Sequence, residues 1–156
     1  MNGDKLFEIG DGYRNALNGI YLNLGTSSMY GQTMSWGFMD AIAQYYKTDN
    51  GSNFIPKTSA YYKSAKFQFE DSDVKTFISN IWSVSYNNIA NCNNLILNVS
   101  EASPSVFKEG EFEKNMIWGE ALALRAFMHF DLLRLFAPAI SKDDGKSYIP
   151  FRALRY

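Results

Sequence analysis

The sequence predicts an all-α fold, and two observations carry that reading. Apolar residues recur at steps of three and four in four separate stretches. Cap, stop and breaker residues stand between those stretches where helices need them.

The first predicted helix covers Asp11 to Leu24, with Leu17, Ile20, Tyr21 and Leu24 on its apolar face and Gly25 as its stop. The second runs from Gly31 to Tyr46, burying Met34, Phe38, Ala41, Ile42 and Tyr45. A long loop, residues 47–71, follows. It holds Gly51 and Pro56 among Asn50, Asn53, Phe54, Tyr61, Tyr62, Phe67 and Phe69. Loops of this length are usually functional or disordered, and this one is too aromatic for a typical disordered linker. Within it "AKFQFED" alternates as a short edge strand does.

The third helix starts at "EDSD", where Ser72 or Asp73 caps the free amides, and continues to Val99. Its apolar stripe reads Ile78, Trp82, Tyr86, Ile89. Ser103–Pro104 starts a short turn and Gly110 interrupts it. The fourth helix spans Glu111 to Phe136. Glu111 and Glu113 suit its positive start, and Pro138 ends it. "SKDDGKSYIPF" is a polar turn leading into an extended piece.

The 156 residues fit one domain over 1–156. With a net charge of −1, the chain is not basic enough for a typical nucleic-acid binder. Its 12 Phe, 10 Tyr and 3 Trp either fill wide helix–helix gaps or line a surface that stacks on ligands. The lone Cys92 forms no internal disulfide and reads as a small core residue. "MNGDKLFEIG" has neither the basic start nor the apolar segment of a signal peptide, and no stretch is long and apolar enough to span a membrane.

Catalysis finds little support. His129 is the only histidine, and Asp131, two residues on, points to a different helix face. His129 therefore reads as a packed or surface helical residue. One His and one Cys are too few for a zinc site, no Gly-rich phosphate loop occurs, and "DDGK" reads as a turn. The acidic pairs Asp71 with Asp73 and Glu111 with Glu113 read as caps and dipole partners. The expectation is a non-enzyme with no catalytic residue, metal or cofactor.

On the fourth helix Gly119, Ala123 and Ala126 form a small-residue stripe, expected to let another helix approach closely. Asp131 pairs with Arg134, and Arg125 reaches loop carbonyls or carboxylates. Together with Trp82, Tyr86 and Ala90 this suggests a tetratricopeptide-like antiparallel hairpin, in looser spacing than a strict thirty-four-residue repeat. On the second helix Trp36, Asp40 and Gln44 lie at i, i+4, i+8. A flat aromatic beside a carboxylate and an amide is chemistry that holds sugars. The other reading is that Trp36 packs under the long loop.

Four motifs then resemble one family. "LNGIYLNLGTSSMYG" and "GFMDAIAQYY" look like the first two helices of the SusD/RagB family. "IWSVSYNNIANCNNLI" resembles its W-x-x-x-Y-x-x-I-x-x-x-N helix through Trp82, Tyr86, Ile89 and Asn93. "GEALALRAFMHFDLLRLFAPAI" resembles its E-A-x-x-x-R-A-x-x-x-F-x-L-x-x-x-F helix through Glu120, Ala121, Arg125, Ala126, Phe130, Leu132 and Phe136, and "YIPF" the extended piece after it.

The resemblance implies an α-α superhelix fragment of tetratricopeptide-like hairpins. It implies non-catalytic glycan binding on the surface of Bacteroidetes, at the outer membrane, beside a SusC-like TonB-dependent transporter. Family members are held by a lipidated N-terminal cysteine. This chain has no leader or N-terminal cysteine and is shorter than a full member, so the expectation is an N-terminal region whose anchor lies elsewhere. Its partners would be oligosaccharide and transporter, with no nucleic acid, and the fragment is expected to pair as a homo-dimer. The sugar site is placed at Trp36, Asp40, Asn53, Tyr61 and Tyr62, from side-chain chemistry and loop position. The rival is a helical docking module without a glycan site. Exposed, clustered loop aromatics would favour binding; buried ones would favour docking.

Overall fold

The computed structural model describes residues 6–46 and 55–151. Among these, the elements are α1 (Gly10–Leu24), α2 (Phe38–Ile42), α3 (Ala60–Ala65), α4 (Ser72–Glu101) and α5 (Gly110–Phe136), with 3-10 turns at Pro104–Val106 and Ile140–Lys142. The all-α prediction holds. The chain folds as two compact units, one of Met1–Tyr21 with Ser85–Tyr156, the other of Leu22–Val84.

In the first unit, paired side chains give the helix directions. Arg14 bonds Glu113 at 2.5 Å and Tyr21 bonds Glu120 at 2.8 Å. Residue numbers rise together on both helices, so α1 runs parallel to α5. Between α4 and α5 the order reverses. Lys114 Nζ donates to the Ala102 carbonyl at 2.8 Å, Arg125 to Asn93 Oδ1 at 3.1 Å, and His129 meets Tyr86 edge-on at 6.4 Å. The part of α4 in this unit is therefore antiparallel to α5, as predicted. Its fully buried residues include Ile20, Cys92, Leu95, Ile96, Val99, Ile117, Met128 and Leu132.

The buried stripe of α4 differs from the predicted one. Val74, Ile81, Ser85, Asn88, Ile89, Cys92, Leu95 and Val99 are buried, while Ile78, Trp82 and Tyr86 lie half-buried beside it. Ser85 and Asn88 interrupt the true stripe with polar letters, which disguises it in the sequence. On α1, Tyr21 is exposed and not on the core face, because its phenol reaches out to Glu120.

The small-residue stripe of α5 is the clearest correction. Gly119, Ala123 and Ala126 are all exposed, and a Cβ built on Gly119 meets nothing within 4 Å. The core face of α5 is Glu113, Ile117, Ala121, Met128, Asp131 and Leu132. No helix of the described chain uses the small stripe for close approach.

The caps shift slightly. Asp71 caps α4, not Ser72 or Asp73: its Oδ1 accepts the Asp73 amide at 3.0 Å. The Ser103–Pro104 turn forms as predicted, with Ser103 accepting from the Ser105 amide. Gly110 opens α5 at a φ of +58°, a left-handed conformation that costs glycine least. Asp131 pairs with Arg134 at 2.7 Å, as expected, whereas Arg125 finds a side-chain amide in place of a loop carbonyl or carboxylate.

In the second unit the predicted second helix shrinks to five residues, Phe38–Ile42. A chain of tight turns precedes it, and Gly31 sits where a Cβ would come within 2.4 Å of the Gly25 carbonyl oxygen. Gln44, at a φ of 62°, ends it. Within the described part of the predicted loop a helix forms, α3, capped by Ser59. The expected edge strand "AKFQFED" is absent: Lys66–Asp71 is a run of turns, with Phe67 at a φ of 55°.

Candidate functional site

The predicted sugar-binding residues lie in the second unit, and the structure separates their roles. Trp36 precedes α2, and its indole is 57% exposed. Its carbonyl oxygen accepts the Tyr46 hydroxyl, which fixes the backbone beneath the ring. Asp40 sits half-buried on α2. Gln44 lies beyond the helix and donates its amide to the Ala65 carbonyl at 2.7 Å, tying α2 to α3. The expected Trp36, Asp40, Gln44 helical stripe does not form, because only Asp40 is on a helix.

Tyr61 and Tyr62 are neighbours on α3 with different surroundings. Tyr61 stacks on Phe77 at 5.3 Å, and Phe77 meets Phe38 at 5.7 Å. Its hydroxyl accepts the Gln32 amide at 2.7 Å. Burial raises the Tyr61 phenol above its ordinary pKa, with Tyr46 adding to the rise. Tyr62 is half-buried and carries the Lys66 ammonium 5.7 Å from its ring centroid. Asn53, like Asn50 and Phe54, lies outside the described residues.

The loop aromatics thus divide between packing and exposure. Half-buried Tyr61 packs on Phe77, while Phe67 and Phe69 are exposed and meet edge-on at 6.0 Å. Sequence reasoning counts both among the loop aromatics but leaves them out of the predicted sugar site. The signal was present in "AKFQFED": two phenylalanines two residues apart share a side in an extended chain, and they stay together here without a strand. Nearby in sequence, Lys63 bridges Asp71 at 2.9 Å and Asp73 at 3.0 Å. Its ammonium holds the Asp71 carboxyl below the usual carboxylate range, helped by the Asp73 and Val74 amides. The pair is a capped helix start joined to a lysine, as the cap reading expects.

A second arrangement, in the first unit, was missed entirely. Tyr86, Ile89, Ala90, Asn93, His129, Pro150 and Phe151 line a cleft of about 340 Å³. The Tyr86 hydroxyl donates to the Pro150 carbonyl at 3.1 Å, which holds the extended "YIPF" piece beside α4. Phe151 stands edge-on to His129 at 5.0 Å. Arg125, one turn before His129, fixes the Asn93 amide through its oxygen. The turn before this piece is built as expected: Gly145, at a φ of +72°, donates its amide to Asp143 Oδ1 at 2.9 Å. Sequence reasoning could have found the cleft only by pairing "YIPF" with the α4–α5 hairpin.

Among the described residues no group of three or more His, Cys, Asp or Glu side chains is placed to hold a metal ion, and no helix is long and apolar enough to cross a membrane.

Comparison with known families decides the kinship. The SusD-like family, described as starch-binding and associating with the outer membrane, matches residues 23–152. The chain belongs to the SusD-like family. Neither the search of curated proteins nor that of solved structures returned a match. The match runs through α2, α3, α4, α5 and "YIPF", so it takes in the predicted sugar residues and the α4–α5 cleft alike.

Proposed function

We propose that this chain binds oligosaccharide without catalysis, at the cell surface, for delivery to a SusC-like TonB-dependent transporter. The SusD-like match over residues 23–152 carries this reading, since the family is described by starch binding and outer-membrane association. In this reading residues 1–156 act as one helical domain of a lipid-anchored protein. Trp36 offers an exposed ring for C–H stacking, Asp40 accepts hydroxyl protons, and Tyr62 adds a second aromatic. Tyr61 holds that surface on Phe77, and Asn53, outside the described residues, is proposed as a further polar ligand from its side-chain chemistry alone. The exposed pair Phe67 and Phe69 extends the available aromatic area.

Calorimetric titration with maltoheptaose tests the proposal. Saturable heat that shrinks in Trp36→Ala supports it. Absence of binding to maltoheptaose and to a panel of other neutral oligosaccharides overturns it.

One observation favours the rival docking function. The outward face of α5 carries Phe112, Gly119, Ala123, Ala126, Phe127, Phe130 and Leu133 in one exposed stripe. Contiguous exposed apolar surface of this kind marks interaction sites. In that second reading, the stripe pairs with a second copy of the chain.

A further inference from the structure

We infer that the cleft between Tyr86, Asn93, His129 and Phe151 is a second saccharide subsite, shaped for an uncharged pyranose unit. The inference rests on the oligosaccharide-binding reading and gives it a separate location, in the first unit.

Charge comes first. The cleft is lined by Tyr86, Ile89, Ala90, Asn93, His129, Pro150 and Phe151, with no carboxylate, ammonium or guanidinium among them. An ionised ligand would meet no charged side chain in the lining, since the Arg125 guanidinium next to it is engaged on Asn93 Oδ1, and unpaired charge is costly to desolvate. A neutral ligand meets no such penalty.

The hydrogen-bonding set comes next. A carbonyl oxygen only accepts, so the 2.9 Å bond between His129 Nδ1 and the Arg125 carbonyl places the proton on Nδ1. With a proton fixed on Nδ1, Nε2 is the ring position left to accept. Asn93 has its oxygen occupied by Arg125 Nη1 at 3.1 Å, so its amide contributes N–H donors. Tyr86 spends its proton on the Pro150 carbonyl, which holds that carbonyl in place at the cleft. An acceptor on His129 and donors on Asn93, each oriented by a bond to the protein, match hydroxyls that both donate and accept.

The apolar wall completes the fit. The Phe151 ring is 69% exposed, yet its position is set by the edge-on contact with His129. It is available to the C–H face of a sugar ring, and Ile89 and Ala90 add apolar lining. The 340 Å³ volume is that of a small-ligand cleft, which usually holds about 300–1,000 Å³.

The single histidine makes a direct test possible, because His129 alone supplies the imidazole signals of the chain. Maltoheptaose is titrated into the whole chain while calorimetry reads total binding and the His129 ring C–H resonances are followed. The expected result is a saturable shift of those resonances. Phe151→Ala, a change at an exposed ring, should weaken the associated affinity about tenfold. Tyr86→Phe keeps the ring and should also weaken it, by releasing the Pro150 tie. A trigalacturonate control, carrying carboxylates, should leave His129 unmoved. Persistent maltoheptaose heat with a stationary His129, or with full affinity in Phe151→Ala, overturns the cleft and leaves the oligosaccharide reading standing. Absence of all saccharide heat overturns both. A His129 shift equal for maltoheptaose and trigalacturonate overturns the neutral-ligand claim.

Discussion

Arg14 on α1 and Glu113 on α5 meet at 2.5 Å, with the Glu113 side chain only 2% exposed. Glu113 also accepts the Glu109 amide at 3.1 Å, so it closes the start of its own helix and joins a second one. That backbone bond, followed by Arg14, holds its carboxyl below the ordinary carboxylate value. A depressed folded-state value means stability that is present above the unfolded value, about 4.3, and is lost as pH falls through the folded one. Thermal melts from neutral to strongly acid pH should show the wild type losing its advantage over Glu113→Gln across that window. A constant gap between the two proteins would contradict the argument.

Ala121 and Ala123 are two residues apart on α5 and face opposite environments. Ala121 is fully buried and Ala123 is exposed. Ala121→Leu should overpack the core and cost roughly 1–3 kcal/mol. Ala123→Leu should change stability by less than about 0.5 kcal/mol. Paired denaturant midpoints decide the matter, and equal losses would reverse the assignment of the two faces.

The contrast also marks what was legible in the sequence. α1, α4 and α5 were readable to within a few residues because long periodic stretches carry their own stops: Gly25, the EDSD start and Pro138. Which face turns inward was less readable. α5 is apolar nearly all round, so Gly119, Ala123 and Ala126 looked like a contact, while the buried face includes Glu113 and Asp131. Asp131 is satisfied by Arg134 one turn on, a pair the spacing already foretold, whereas Glu113 is satisfied by Arg14, which only tertiary structure brings near. α2 was overextended because turns stabilised by Thr33 and Ser35 hydroxyls on backbone carbonyls leave no periodic signature. The α4–α5 cleft stayed hidden for a simpler reason: Tyr86 and Pro150 are far apart in the chain.

Trp36, Tyr62 and Tyr61 should separate binding from stability. Trp36→Ala and Tyr62→Ala should weaken maltoheptaose affinity about fivefold each, since an aromatic contact contributes roughly 1 kcal/mol. Trp36→Ala should leave the melting temperature nearly unchanged, because the indole is exposed. Tyr61→Ala should lower the melting temperature, since the ring stacks on Phe77 and the hydroxyl holds Gln32. Calorimetry beside thermal melts reads both effects. Undiminished affinity in Trp36→Ala and Tyr62→Ala would move the site elsewhere.

Cys92 should report global unfolding. Burial pushes its thiol up to about 11, although Arg125 pulls the other way. At pH 8 that leaves about one thiolate in a thousand, and the thiolate is the reactive form. Iodoacetamide labelling followed by mass spectrometry should be negligible in the native chain and rise steeply through the denaturant transition. Rapid labelling without denaturant would show that α4 opens locally at Cys92.

The exposed stripe of α5 should drive association. Phe112, Gly119, Ala123, Ala126, Phe130 and Leu133 continue one 3-and-4 spacing along nearly the whole helix, the spacing of a coiled-coil seam. Phe112 and Phe130 are 70% and 61% exposed, and the small residues between them leave room for a second backbone. Each buried Å² contributes about 25 cal/mol, so several hundred Å² would give a strong drive to pair. Two-fold pairing satisfies both copies with the same seam and is the commonest closed arrangement. Sedimentation at rising concentration should therefore carry the mass from 17.7 kDa towards twice that value. Phe130→Asp places a charge within the seam, towards its C-terminal end, without touching the buried face, so it should stay monomeric and keep its melting temperature at low concentration. A wild type that remains monomeric at high concentration, or a Phe130→Asp variant that still dimerises, would show that this stripe is not the pairing surface.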